Sequence, residues 1–153
     1  MKKKIYNFSF TSKLNFKIIK SKNFKELKNL IKKYHTISGS CRSYGDSFIG
    51  NYRNISMLNF NKIINFDQKK GLIEVESGVI LDDLFKYVLP KGFILDCSPG
   101  CKYVTVGGMI SNNIAGKLSL NNSIINKIIS VKFIDKNFKI KNCSLKSNKK
   151  LFS

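Results

Sequence analysis

Between Ser21 and Tyr34 the apolar residues share one helical face: Phe24, Leu27, Leu30, Ile31 and Tyr34 recur at i, i+3, i+6, i+7 and i+10, with lysines between them. The spacing predicts an amphipathic helix over Lys22–Tyr34, its first turn capped by Ser21. A second helix is predicted over Leu81–Leu89, where Asp82 and Asp83 complement the helix dipole and Pro90 and Gly92 close the segment. Elsewhere the apolar runs are short and bounded by turn residues, which predicts strands. These are Thr36–Ile37, ending at Gly39; Ile55–Leu58; a hairpin of Ile63–Phe66 and Leu72–Val75 around Asp67–Gly71; Phe93–Leu95; and a long strand Ile128–Ile134, turned back by Asp135-Lys136-Asn137 into Phe138–Ile140. There is no internal repeat and no linker, so the expected architecture is a single mixed α+β domain.

Composition narrows the picture. A chain of 153 residues builds one domain with a core, and 42% hydrophobic with 12% aromatic residues excludes a disordered tail. No apolar run approaches the ~20 residues of a membrane span. The basic start Met1–Lys4 is followed by Asn7, Ser9, Thr11, Ser12 and Lys13, which break any signal-peptide core, so a cytoplasmic product is expected. Twenty-eight Lys and Arg against nine Asp and Glu give a formal charge of +19, and all the basic residues except Arg42 and Arg53 are lysine. Such an excess attracts polyanions, and a basic nucleic-acid-binding module is the alternative function. Lysine, asparagine and isoleucine are overused together along the whole chain, as in an AT-rich genome, and arginine is too scarce for bidentate base readout. No specific nucleic-acid partner is therefore expected. Cys41, Cys97, Cys101 and Cys143 form no C-x-x-C pair and His35 is the sole histidine, which argues against zinc and for reduced thiols.

Two loops carry unusual residues. Ser38-Gly39-Ser40-Cys41-Arg42-Ser43-Tyr44-Gly45-Asp46-Ser47 follows a predicted strand. Its small residues let the backbone turn tightly and aim several N–H groups at one point, a nest for phosphate; an ordinary surface loop is the other reading. In the stretch Pro99–Lys117, Gly107-Gly108 followed by Met109-Ile110 suggests a turn opening into a short helix whose free N–H groups favour an anion, or else a glycine pair needed for close packing.

Four strings then occur in order: Gly39-x-x-Arg42-Ser43-Tyr44-Gly45-Asp46, Val75-Glu76-Ser77-Gly78-Val79-x-Leu81-Asp82-Asp83-Leu84, Leu89-Pro90-x-Gly92, and Pro99-Gly100-x-x-x-Val104-Thr105-Val106-Gly107-Gly108-Met109-Ile110. From about Lys22 to Ile140 the chain resembles the N-terminal FAD-binding domain of FAD-linked oxidases of the vanillyl-alcohol-oxidase and p-cresol-methylhydroxylase type. The branch it resembles most is that of decaprenylphosphoryl-ribose oxidase and the sugar-lactone and alditol oxidases. The resemblance implies two small α+β subdomains with FAD between them. It implies that Ser38–Ser47 wraps the pyrophosphate, and that Gly100, Thr105, Val106, Gly107, Gly108, Asn112, Asn113 and Ala115 line the adenosine and flavin side. Arg42 stands where the alditol and lactone oxidases carry a histidine tethered to flavin, so FAD is expected to be held noncovalently.

Against that pattern, Ala115 replaces a histidine, and Leu118–Ile125 lacks the family's histidines and glycines and is one residue short. The chain ends at Ser153, where the family continues, so 1–153 reads as an incomplete FAD-binding domain without its substrate domain. A truncated gene, one half of a split enzyme completed by a partner chain, and a cofactor-binding remnant all remain open. The resemblance implies hydride removal from a sugar-type C–H, but no catalytic residue is assigned here. Asp82 and Asp83 serve a helix end, Asp46 braces its loop, and Glu74 and Glu76 are solvated.

Overall fold

Three isoleucines in one row organise the N-terminal half of the chain: Ile19 and Ile37 flank the fully buried Ile55 in neighbouring strands. The structure is a computed structural model and describes residues 5–6, 13–14, 17–34, 36–45, 48, 53–116, 123–144 and 146–148. Strands β1 (Ile5–Tyr6) and β2 (Lys13–Leu14) pair antiparallel. Strand β3 (Lys17–Lys20), helix α1 (Phe24–Lys33), β4 (Ile37–Ser38) and β5 (Arg53–Ser56) follow, and the three strands form a parallel sheet in the order β3–β5–β4. Helix α1 rests on β5, with Leu27 its buried residue.

The cap of α1 is Asn23 rather than Ser21. The Asn23 side chain accepts the Glu26 N–H at 2.9 Å, while the Glu26 carboxylate accepts the Lys22 N–H at 2.7 Å. This near-reciprocal capping box needs an acidic residue three positions on, which only Asn23 has. Ser21 instead donates to the Asn23 carbonyl.

The central hairpin forms as expected, from β6 (Ile63–Asp67) and β7 (Leu72–Val75), with Gly71 at φ +63° in its turn. Helix α2 (Leu81–Val88) runs into a 3-10 turn at Leu89–Lys91 that Gly92 closes at φ +81°. Phe93–Leu95 is not a strand. It is irregular chain fastened by the Phe93 ring, edge-on to Phe66 at 5.1 Å. Helix α3 (Val106–Ser111) precedes a 3-10 turn at Ile124–Lys127, so the strand expected from Ile128 begins only at β8 (Ser130–Ile134). Its partner is β9 (Ile140–Ser144), displaced from the expected Phe138–Ile140. The Asp135 carboxylate accepts the N–H groups of Asn137 and Lys139, and Phe138 sits at φ +59°, which extends the turn by two residues.

The larger core belongs to this second half: Val79, Leu81, Leu84, Val88, Cys97, Met109 and Ile124. Among the described residues, no helix is long and apolar enough to cross a membrane.

Candidate cofactor cleft

The first wall of the site leaves the carboxyl end of β4, the end at which parallel sheets bind ligands. Its root is fixed, because the Ser38 carbonyl accepts the Met57 N–H at 2.9 Å. Its far end is fixed by the buried Asn54 side chain, which donates to the Phe48 carbonyl. Between these points residues 39–45 have no regular structure, and Cys41 occupies the left-handed region at φ 57°. Burial pushes the Cys41 thiol above its ordinary value, which the neighbouring Ser38 hydroxyl and the Arg42 charge only partly offset. Cys41 is therefore a neutral thiol rather than an activated nucleophile.

The second wall, Pro99–Thr105, is clamped by the start of α2. Leu81 N–H donates to the Val104 carbonyl at 2.9 Å and Asp82 N–H to the Lys102 carbonyl at 3.0 Å. The Asp82 carboxylate adds ion pairs to Lys86 at 2.8 Å and Lys102 at 3.0 Å, which hold it below the usual carboxylate range. Thr105 then caps α3, accepting the Gly108 N–H at 3.2 Å.

The N–H groups at this helix start are not free for an anion. Val106 donates to the Val79 carbonyl and Gly107 to the Ser77 carbonyl, both at 2.8 Å. A Cβ on Gly107 would stand 2.8 Å from the Ser77 Cβ. Gly107 is thus a packing glycine, the second of the two readings that the sequence left open. The polar ends of Asn112 and Asn113 are also engaged, with the Gly108 carbonyl at 2.7 Å and with Ser123.

The two walls enclose one cleft of about 1060 Å³, just above the roughly 300–1,000 Å³ of ordinary ligand sites. Ser38, Gly39, Ser40, Cys41, Arg42, Ser43, Tyr44 and Gly45 line it from one side, and Gly100, Thr105, Gly108, Asn112, Asn113 and Ala115 from the other. Val106 and Gly107 do not line it, and Asp46 and Ser47 lie outside the described residues. Ile37, Phe48, Pro99, Cys101, Val104, Ser111 and Ile114 also line the cleft, although none of them is among the cofactor residues expected from the sequence. In a one-dimensional pattern an apolar cleft wall looks the same as core.

The residues present fit a dinucleotide. Ser38 is 3% exposed, and its hydroxyl lies beside the weakly accepting Cys41 thiol but makes no hydrogen bond of normal geometry among the described residues, which leaves a buried donor for a ligand. Arg42 supplies a positive charge to the lining, and no Asp or Glu stands among the described lining residues to oppose it. That combination suits a pyrophosphate.

The family model described as "FAD binding domain" matches residues 23–144, and the chain belongs to that family. It is an FAD-binding domain of the flavin-dependent oxidoreductases, and FAD is its cofactor. Decaprenylphosphoryl-β-D-ribose oxidase of Mycolicibacterium smegmatis is 42% identical over 80 residues, 52% of this chain and 17% of that protein. D-lactate dehydrogenase of Anaerostipes hadrus is 36% identical over 62 residues, 40% of this chain and 13% of that protein. Among solved structures, carbohydrate oxidase from Microdochium nivale superposes on 95% of this chain and 33% of its own at 18% identity, with a TM-score of 0.78. Aclacinomycin oxidoreductase does so at 13% identity, with a TM-score of 0.71. These likenesses show the fold, the two-subdomain α+β architecture of p-cresol-methylhydroxylase-type oxidases. The chain spans less than a fifth of the curated relatives named here and a third of the solved ones.

Proposed function

We propose that the chain is the cofactor-binding part of a flavoenzyme that oxidises a sugar-type alcohol or lactone, holding FAD noncovalently in the cleft between residues 38–45 and 100–115. The convergence of both loops on one cleft carries this reading. The sugar class is supported by the relative whose printed name contains ribose, which matches over 80 residues against 62 for the lactate dehydrogenase. Noncovalent binding is supported by Arg42 in the lining, since a guanidinium is permanently protonated and has no free lone pair with which to form a bond to the flavin.

When bound, FAD supplies the hydride acceptor. This chain's residues bind and orient it, with Arg42 for the pyrophosphate, the Ser38 hydroxyl as a buried donor, and Ile37, Phe48 and Val104 excluding water. Proton removal from a substrate hydroxyl needs a base within hydrogen-bond reach, and no carboxylate or imidazole stands among the described lining residues. This reading places the base and the substrate pocket outside the described cleft lining and expects no turnover from this domain by itself. The four free thiols suit the reducing cytoplasm.

The test uses the FAD-loaded chain without oxygen, alone and joined to the C-terminal part of the M. smegmatis relative. Aldoses, sugar lactones and D-2-hydroxy acids are offered while flavin absorbance is followed. The reading expects no bleaching by the chain alone and bleaching by a sugar in the joined protein, where this domain presents its flavin to a sugar-binding half. No bleaching by any of these compounds in a folded, FAD-loaded joined protein would contradict it. Flavin that stays with the acid-precipitated protein would contradict noncovalent binding.

A further inference from the structure

We propose that Tyr103 is a positioning residue for Arg42: its ring, on the outer rim of the cleft, holds the guanidinium at the mouth as a fixed positive charge for the anionic part of the cofactor. The Arg42 guanidinium carbon stands 5.8 Å from the Tyr103 ring centroid, inside the ~6 Å reach of a cation–π contact. The two residues come from opposite walls, and only Arg42 lines the cleft itself. Tyr103 is half exposed, so neither core packing nor a buried hydroxyl accounts for its placement.

The ring is a rigid post and the arginine is not. Residues on both sides of Tyr103 are tied to α2, through the Lys102 and Val104 carbonyls and the Lys102–Asp82 ion pair. Lys102 Nζ also lies 5.3 Å from the ring, but it is ion-paired with Asp82, whereas Arg42 faces no acid in the described lining. Arg42 rides an irregular loop, directly after the left-handed Cys41. A long side chain on such a loop samples many rotamers, and an aromatic face restricts them before the ligand arrives, which is preorganisation. This inference rests on the cleft being the FAD site.

The experiment compares the full chain with Tyr103→Phe, Tyr103→Leu, Arg42→Gln and the double variant Arg42→Gln/Tyr103→Leu. FAD dissociation constants are measured against salt, and hydrogen exchange of the 39–45 amides is measured without cofactor. Tyr103→Leu is expected to weaken FAD about two- to fivefold, the equivalent of one exposed cation–π contact, and Tyr103→Phe to bind as wild type. Arg42→Gln weakens FAD with a flatter salt dependence, and adding Tyr103→Leu to it changes nothing further. Equal weakening by Tyr103→Leu with and without Arg42, or equal loss in the Phe and Leu variants, would overturn the proposal. If wild type binds no FAD, the cofactor assignment itself fails and hydrogen exchange alone decides. Faster exchange of residues 39–45 in Tyr103→Leu but not in Tyr103→Phe supports the post, and unchanged exchange rejects it.

Discussion

Gly39 lies directly against Thr105: a Cβ at position 39 would overlap the Thr105 hydroxyl and come within 3.1 Å of its methyl group. The two loops that form the cleft therefore meet through the missing side chain of one and the helix cap of the other. Thr105 is 2% exposed and its hydroxyl serves the Gly108 N–H, so it has no room to withdraw. Gly39→Ala is expected to destabilise the domain by about 1–3 kcal/mol through overpacking and partial loss of the cap, lowering Tm by roughly 2–4 °C per kcal/mol. It also weakens FAD, because the two walls are pushed apart. Gly45→Ala meets nothing within 4 Å and serves as the control, with Tm unchanged in a thermal melt.

The glycine pair behind the cleft divides its duties. Gly107→Ala drives a Cβ into Ser77 and is expected to cost about 1–3 kcal/mol, read as a lower denaturation midpoint. A Cβ on Gly108 would stand 3.0 Å from the Thr105 hydroxyl, a tight contact but less severe than the Ser77 overlap, and alanine is the better helix former. Gly108→Ala is therefore expected to lower the midpoint less than Gly107→Ala does and to weaken FAD, since Gly108 is the member of the pair that lines the cleft.

Ser38→Ala separates stability from binding. Removing a buried hydroxyl that lacks a normal partner is expected to leave the cofactor-free protein as stable as wild type, or to stabilise it by up to about 1 kcal/mol. The same variant loses a donor from the cleft, and FAD affinity falls. A fall in both quantities would show that the hydroxyl is satisfied within the protein.

Asp82 links stability to pH. Hydrogen bonds from Lys86, then Lys102, lower its folded value below the unfolded value of about 3.9. The stabilisation is complete above the unfolded value and is lost as pH falls through the folded one. Asp82→Asn is thus expected to lower the urea midpoint at neutral pH and to flatten its decline on acidification. Lys86 and Lys102 are largely exposed, so added salt shrinks the difference between variant and wild type.

Much of this was legible in the sequence because the physics was local. The heptad-like spacing of α1, the Asp67–Gly71 hairpin and the acidic first turn of α2 each depend on residues a few positions apart, and each formed within one or two residues of expectation. The order of the glycine-bearing strings gave the fold and the cofactor. Strand β3 was missed because Lys17-Ile18-Ile19-Lys20 is too short for a period, and its identity comes from pairing with β5, more than 30 residues away. Phe93–Leu95 has strand composition but no ladder, since side-chain packing on Phe66 took its place. The engagement of the Val106 and Gly107 N–H groups by residues 79 and 77 was equally out of reach, because a free and a bonded N–H read alike in sequence.

The most direct test is titration of the purified chain with FAD, following flavin fluorescence and thermal stability together. One FAD bound per chain, with Tm rising as ligand is added and that rise reduced by Gly39→Ala, is the predicted result. Unchanged fluorescence and an unchanged melting curve at saturating FAD would contradict it.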